Sequence, residues 1–120
     1  MYAVGLQGFL CGFRTCYEGA IFKSTDSGAN WQRLTLDPLL RTGQFVAFKN
    51  QLRIDPQHPT TLYALSAGGG YILKSTDGGV TWRTLTLGPD PIYAHDLILD
   101  PSAALTLYAA SWDGILKSTD

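Results

Sequence analysis

A set of acidic residues recurs along the chain at a spacing that can carry chemistry. The string Lys-Ser-Thr-Asp stands at 23–26, 74–77 and 117–120, and its first two copies continue to a Gly and a Trp. Recurring carboxylates can bind a cation or exchange protons with a substrate. An EF-hand calcium loop is excluded, because glycines follow Asp77 where further oxygen ligands should stand and the distal Glu is missing. We therefore interpret Asp26 and Asp77 as acceptors for backbone N–H groups of their own turns.

Two other carboxylates are candidates for glycoside hydrolysis. An inverting hydrolase needs two carboxyl groups about 6.5 to 9.5 Å apart across the scissile bond. Glu18 and Asp96 are the best-placed pair, but they belong to repeat units that are two apart in the chain. We interpret Asp96 instead as a polar residue that lines a central channel or caps a strand. His95 points to the opposite face of the same strand, so His95 and Asp96 are not a catalytic dyad by themselves.

Other catalytic and cofactor motifs are missing from the sequence. It contains no Gly-x-Ser-x-Gly turn, no phosphate loop and no metal-ligand spacing. The glycines at 68–70 precede a predicted strand, not a helix, which argues against a nucleotide cradle. Charged residues make up 16% of the chain and the net charge is -1, so no nucleic-acid partner is expected. No cofactor, metal or membrane span is predicted.

The copies align well beyond the acidic string and define a repeat unit. Leu-Tyr-Ala at 62–64 matches 107–109, and the Asp-Pro step at 55–56 matches 100–101. The period is close to the roughly 40 to 45 residues of one four-stranded propeller blade. If the chain folds into such blades, the strands of each blade determine where its Lys-Ser-Thr-Asp copy lies.

Each unit contains short runs of β-branched and aromatic residues bounded by Gly, Pro, Asp and Ser, which is typical of strands. In the central unit these runs are 51–54, 61–65, 71–75 and a fourth that begins at Trp82. No segment shows sustained helical periodicity. The sequence predicts an all-β fold, an incomplete β-propeller of about two and a half four-stranded antiparallel blades.

The predicted blades divide the chain into three parts. Residues 1–36 form a partial blade with strands two to four and an inserted loop at 7–18, 37–87 form a complete blade, and 88–120 form a partial blade with strands one to three. A propeller closes into a ring, which this number of blades cannot do. We expect the sequence to be a piece of a longer protein. The alternative is a self-contained chain whose ring is completed by other subunits.

The repeated turn has a physical rationale and a family resemblance. Gly79 can take a positive φ without steric cost, and Trp82 is expected to pack beneath the turn. The pattern Ser-x-Asp-x-Gly-x-x-Trp at 24–31 and 75–82 resembles the Asp box, or BNR repeat, as found in bacterial BNR propellers, sortilin luminal domains, xyloglucanases and photosystem II assembly propellers. The resemblance implies that the boxes serve the fold and lie away from the ligand side of the ring. The implied structural residues are Ser24, Asp26, Gly28, Trp31, Ser75, Asp77, Gly79, Trp82, Ser118 and Asp120.

The side of the ring opposite the boxes is the predicted ligand side. It is reached by the connections from fourth to first strands and from second to third strands. The inserted loop adds about ten residues there, where functional loops are typically carried. The candidate ligand-binding residues are Arg14, Tyr17, Glu18, Arg41, Lys49, Tyr93, His95, Asp96 and Trp112.

Cys11 and Cys16 are the only cysteines, and both fall in the predicted inserted loop. A disulfide that closes the loop and two free thiols remain alternatives, whereas a zinc site lacks further ligands nearby. A disulfide would place the protein in an oxidising compartment. We predict an extracytoplasmic or secreted protein, although this segment carries no signal peptide.

Three functions are compatible with the resemblance. The one we favour is a non-catalytic propeller that binds a protein or glycan partner, because the repeat is present without a catalytic set. The alternative is a piece of a glycoside hydrolase, sialidase-like or xyloglucanase-like, whose catalytic residues lie mostly outside this chain. The Arg-Ile-Pro signature of sialidases is not found. A scaffold that assembles a membrane complex is the third.

Overall fold

The computed structural model describes residues 1–11, 14–34, 48–66, 71–86, 94–103 and 106–119, with the backbone alone at 4–11, 14–19, 48–51, 66, 71 and 86. These residues form ten strands and no helix. The strands are β1 (Tyr2–Cys11), β2 (Arg14–Lys23), β3 (Gln32–Leu34), β4 (Phe48–Ile54), β5 (Leu62–Ser66), β6 (Tyr71–Ser75), β7 (Arg83–Thr86), β8 (Ala94–Leu99), β9 (Leu107–Ser111) and β10 (Gly114–Ser118). The prediction of an all-β chain is confirmed.

The strands form three antiparallel sheets. The first sheet has the order β1-β2-β3, the second β4-β5-β6-β7, and the third β10-β9-β8. Every pair of neighbours is consecutive in the chain, so each sheet is a simple meander. The division of the chain into propeller blades remains a prediction.

The predicted inserted loop at 7–18 is wrong for the residues described there. Strands β1 and β2 pair without interruption from Tyr2 opposite Lys23 to Cys11 opposite Arg14. The extra residues are shared equally between the two strands, so the register is kept and the added backbone N–H and C=O groups pair with one another. The insertion is therefore a long hairpin that extends the first sheet.

Two apolar clusters hold the sheets together face to face. The first lies between the first and second sheets and consists of Ile21, Leu34, Leu62, Ala64, Leu73 and Trp82. The second lies between the second and third sheets and consists of Tyr63, Leu65, Ile72, Leu97, Leu107 and Ala109. The middle sheet is thus covered on both faces, which explains why β5 is apolar at successive positions instead of alternating.

Candidate functional site

The second motif turn (residues 75–82) is organised by the side chains of Ser75 and Asp77. The Ser75 hydroxyl donates to Asp77 Oδ1 at 2.7 Å and accepts from the Gly79 N–H at 2.8 Å. Asp77 Oδ1 also accepts from the N–H groups of Val80 at 3.0 Å and Thr81 at 2.9 Å. Both carboxylate oxygens are therefore engaged within the turn, since the Thr81 hydroxyl donates to Oδ2.

The first motif turn (residues 24–31) repeats this arrangement with different side chains. Ser24 Oγ donates to Asp26 Oδ1 at 2.7 Å, and Asn30 donates to the same carboxylate from its backbone at 2.8 Å and its side chain at 2.6 Å. The backbone is left-handed at both turns: φ is 58° at Ser27 and 93° at Gly28, and 72° at Gly78 and 91° at Gly79. The geometry is common to both copies although three of the eight residues differ.

These hydrogen bonds stabilise the charged form of each carboxylate. Donation from the Thr81 hydroxyl and N–H, with Ser75 and Val80, holds the pKa of Asp77 far below its usual value. The backbone and side-chain amides of Asn30, with Ser24, lower the pKa of Asp26 to about 2. An aspartate that is always ionised and already saturated with donors is poorly suited to proton transfer near neutral pH. The geometry favours a structural role for both residues.

The second motif turn also contacts the first sheet. A Cβ built on Gly79 would overlap the Leu34 side chain, and Tyr2 Oη donates to the Gly78 carbonyl at 3.3 Å. Trp82 Nε1 donates to the Gly79 carbonyl at 3.0 Å, and its ring is only 6% exposed. Trp31, at the same position of the first motif turn, is 42% exposed. The expected packing beneath the turn is thus close at Trp82 and partial at Trp31.

Sequence reasoning missed two features of the structure. The first is the turn that follows β4. Asp55 is buried and accepts from the N–H groups of Gln57 at 2.8 Å and His58 at 3.2 Å. Burial raises the pKa of Asp55, but these donated hydrogen bonds outweigh it and hold the pKa below its ordinary value. The Asp-Pro step marked this turn in the sequence, and only the fold shows that the carboxylate itself closes it.

The second missed feature is a cross-strand pair that recurs in every sheet. The ammonium groups of Lys23, Lys74 and Lys117 lie over the rings of Tyr2, Tyr63 and Tyr108, at 5.7, 5.2 and 5.7 Å from the ring centroid. The members of each pair are directly opposite on neighbouring strands. The motif lysine is therefore part of the sheet, where it forms a cation–π contact.

A different surface lies at the connection between β9 and β10. Trp112 is 85% exposed at the tip of this turn, and its ring meets that of His95 edge-on, with centroids 5.5 Å apart. The turn is closed by Ser111 Oγ, which donates to the Gly114 carbonyl at 3.1 Å and accepts from the Asp113 N–H at 3.3 Å. This turn precedes β10, so it lies at the opposite end of that strand from Ser118, where the third motif turn begins. The structure thus brings Trp112 and His95 together.

Asp96 contacts the second sheet. Its Oδ1 accepts from the Leu97 N–H at 2.7 Å and lies 3.4 Å from Arg53 Nη2, while Arg53 Nε donates to the Leu97 carbonyl at 2.8 Å. Arg53 therefore bridges β4 and β8 through one backbone and one side-chain acceptor. This arrangement fits the interpretation of Asp96 as a structural polar residue better than a free catalytic carboxylate.

The other predicted ligand-binding residues fall where the description is partial or stops. Arg41 and Tyr93 lie outside the described residues. Lys49 is in β4, and Arg14, Tyr17 and Glu18 are in β2, with the backbone alone described. Their placement on one rim, and the pairing of Glu18 with Asp96, remain predictions.

The cysteine and third-motif predictions are also only partly covered. The register puts Cys11 opposite Arg14 and Cys16 opposite Phe9, so the cysteines are diagonal neighbours in the hairpin and not directly opposite. Their disulfide remains a prediction. Ser118 ends β10, and Asp120 is outside the described residues. In the described part of the chain, no group of three or more His, Cys, Asp and Glu could hold a metal ion, and no helix could cross a membrane.

Comparison with known proteins gives partial similarities. No family model matches the chain. The xyloglucanase Xgh74A of Acetivibrio thermocellus is 36% identical over 81 residues, which cover 65% of this chain and 10% of that protein. A xyloglucanase of a Paenibacillus species is 36% identical over 82 residues, which cover 66% of this chain and 8% of that protein. The chain thus matches at most about a tenth of the length of these curated relatives. The similarities are compatible with a propeller-repeat family.

Proposed function

We propose that this chain is a segment of a secreted, non-catalytic BNR, or Asp-box, β-propeller that binds glycan at the end of the sheets carrying Trp112 and His95. The observation that carries the proposal is the exposure of Trp112, 85%, at a turn tip where its ring is met edge-on by His95. Tryptophan is enriched at binding interfaces, because it combines a large apolar ring with a polar N–H.

The chemistry of this surface suits a sugar. The apolar faces of pyranose rings can stack on an indole, and the polar edge of the ring offers hydroxyl groups to nearby acceptors. The exposed carboxylate of Asp113 follows Trp112 in the same turn and is an acceptor of that kind. The motif turns do not compete for this role, because their carboxylates are already saturated by their own amides. The names of the two similar proteins, both xyloglucanases, make xyloglucan the first ligand to try.

The test is a titration of the chain with xyloglucan oligosaccharides, followed by tryptophan fluorescence and calorimetry. We expect Trp112→Ala to abolish binding and Trp112→Phe to retain most of it, because the stacking face is kept. Val80→Ala is the matched control, since Val80 is an exposed apolar residue on the second motif turn. Equal binding by Trp112→Ala and the unmodified chain would overturn the proposal.

The second candidate, a piece of a glycoside hydrolase, is favoured by the xyloglucanase similarity. Asp96 and Glu18 would then be the acid and base candidates in this chain. The same titration samples can be assayed for new reducing ends. Release of reducing ends that is lost in Asp96→Asn would favour the hydrolase.

A further inference from the structure

The chain contains two Asp-Gly steps, Asp77-Gly78 and Asp113-Gly114. At such a step the amide nitrogen of the glycine can attack the aspartate Cγ, because glycine has no side chain to obstruct the approach. The product is a five-membered succinimide ring, which water reopens to either aspartate or isoaspartate. In a folded protein the reaction depends on how firmly the carboxylate and the glycine amide are held.

The Asp77-Gly78 step is held at both reacting groups. The Asp77 carboxylate accepts from the Ser75 hydroxyl and the Thr81 N–H, and the Gly78 N–H donates to the Thr60 carbonyl at 2.8 Å. The hydrogen bonds to Asp77 keep its pKa far below the usual value and so keep the group ionised. Cyclisation expels an oxygen more readily from a neutral carboxyl group than from a carboxylate. The second motif turn therefore protects its own Asp-Gly step.

The Asp113-Gly114 step lies at the tip of the turn between β9 and β10. Trp112, Asp113 and Gly114 are all exposed. The Asp113 carboxylate accepts no hydrogen bond from the part of the chain that the structure describes. A Cβ built on Gly114 would meet nothing within 4 Å. Exposed turn tips open locally at a small cost in free energy, so the reacting groups can reach the geometry that cyclisation needs.

We propose that Asp113 isomerises spontaneously to isoaspartate in the folded chain, whereas Asp77 is protected. The Gly114 nitrogen forms a bond to Cγ of Asp113, and one carboxyl oxygen leaves as water with the amide proton and a proton from solvent. Water then adds to the ring carbonyl that was the main-chain carbonyl of Asp113, and the bond from that carbon to the Gly114 nitrogen breaks. The main chain then runs through Cβ and Cγ, and the atomic composition is unchanged.

The modification changes the turn that carries Trp112. Ser111 and Gly114 are paired across the hairpin, so Trp112 and Asp113 alone form its tip. Isoaspartate lengthens this tip by one main-chain atom. We therefore expect the edge-on contact between the Trp112 and His95 rings to be lost in the isomerised chain. Isomerisation is read from the covalent structure, so it can be present or absent whatever Trp112 binds.

The experiment is incubation of the intact chain at neutral pH, below its unfolding temperature, followed by trypsin digestion and liquid chromatography with mass spectrometry. Trypsin separates the two steps into peptides 75–83 and 84–117. Isoaspartate has the same mass as aspartate but elutes separately, and electron-transfer fragmentation locates it. We expect isoaspartate to accumulate at Asp113. Conversion at Asp77 should be slower by at least about tenfold, because the hydrogen bonds of its turn must first break.

The controls separate the chemistry of the step from the protection by the fold. In the urea-unfolded chain both steps should convert at comparable rates. Asp113→Glu should abolish conversion at that position, because the longer side chain would have to close a six-membered ring. Thr81→Val removes a hydroxyl that donates to Asp77 and should speed conversion there, with circular dichroism as the check that the variant is folded.

Two results would overturn the proposal. One is the absence of isoaspartate at Asp113 in the folded chain over a period in which the unfolded chain converts. The other is conversion of Asp77 and Asp113 at equal rates in the folded chain.

Discussion

The Tyr2 hydroxyl donates to the Gly78 carbonyl at 3.3 Å and so connects the first sheet to the second motif turn across 76 positions of sequence. Its counterpart in the next repeat, the Tyr63 hydroxyl, is buried with no hydrogen-bond partner among the described residues. Equivalent hydroxyls thus have opposite energetic roles. One satisfies a carbonyl between sheets, and the other bears the desolvation cost of a buried polar atom.

This difference predicts opposite effects of the same substitution. Tyr2→Phe should lower the free energy of unfolding by about 0.5–1.5 kcal/mol, because it removes a hydrogen bond. Tyr63→Phe should leave stability unchanged or raise it by up to about 1–3 kcal/mol, because it removes a buried hydroxyl without a partner. Urea unfolding of the two variants side by side measures both. A larger loss in Tyr63→Phe than in Tyr2→Phe would show that Tyr63 has a partner.

Gly28 and Gly79 have the same backbone conformation but different surroundings, so the stabilities of their alanine variants distinguish the cost of backbone strain from the cost of overpacking. Gly28 and Gly79 have φ values of 93° and 91°, but a Cβ on Gly28 meets nothing closer than Met1 Sδ at 3.6 Å, whereas on Gly79 it overlaps Leu34. Both alanine variants should lose about 1–2 kcal/mol to the left-handed backbone. Gly79→Ala should lose about 1–3 kcal/mol more through overpacking. Equal denaturation midpoints would contradict the contact between the second motif turn and the first sheet.

The two motif tryptophans should differ in the same way. Trp82 is buried between two sheets and Trp31 is 42% exposed. Trp82→Ala is expected to cost about 3–5 kcal/mol, as for other large residues removed from a core. Trp31→Ala should cost about 1 kcal/mol, since part of its ring already contacts solvent. Thermal unfolding monitored by circular dichroism checks both. Equal losses in the two variants would contradict the difference in burial between Trp31 and Trp82.

The motif carboxylates predict a loss of stability in acid. The folded-state pKa of Asp26 is lowered to about 2 and that of Asp77 is lowered further, against about 3.9 for an unfolded chain. A depressed folded pKa stabilises the protein above the unfolded pKa, and this contribution disappears as pH falls through the folded pKa. Stability should therefore decline from about pH 4 to about pH 2 and below.

The control for this acid effect is Asp26→Asn, measured by urea midpoints at each pH. The variant should be less stable at neutral pH, and its stability should depend less on pH, because one titrating group has been removed. Some dependence should remain, since Asp77, Asp55 and Asp100 also have lowered pKa values. An unchanged slope in Asp26→Asn would mean that its hydrogen bonds are not formed in solution.

The amino-acid sequence determined the local structure of this protein. Strand positions follow from short runs of β-branched and aromatic residues, and the motif turns close through side chains that bond to groups two to four residues away, as Ser75 and Asp77 do. Such contacts are set within a few residues, so the repeat predicted them. The hairpin at 7–18 is the exception, because about ten extra residues can either form a loop or extend two strands, and the length of the repeat is the same in both cases.

Only the tertiary structure decided which repeats are buried. Trp31 and Trp82 have the same motif position, as do Ile115 and Ile72, yet one member of each pair is exposed and the other is not. Lys74 is buried whereas Lys117, at the same motif position, is exposed, and Tyr63 is buried where Tyr108 is half-buried. Arg53 finds Asp96 at a separation of 43 residues. The physical reason is that burial depends on which sheet packs on each face, and residues of identical type in identical strands cannot specify their neighbour across that interface.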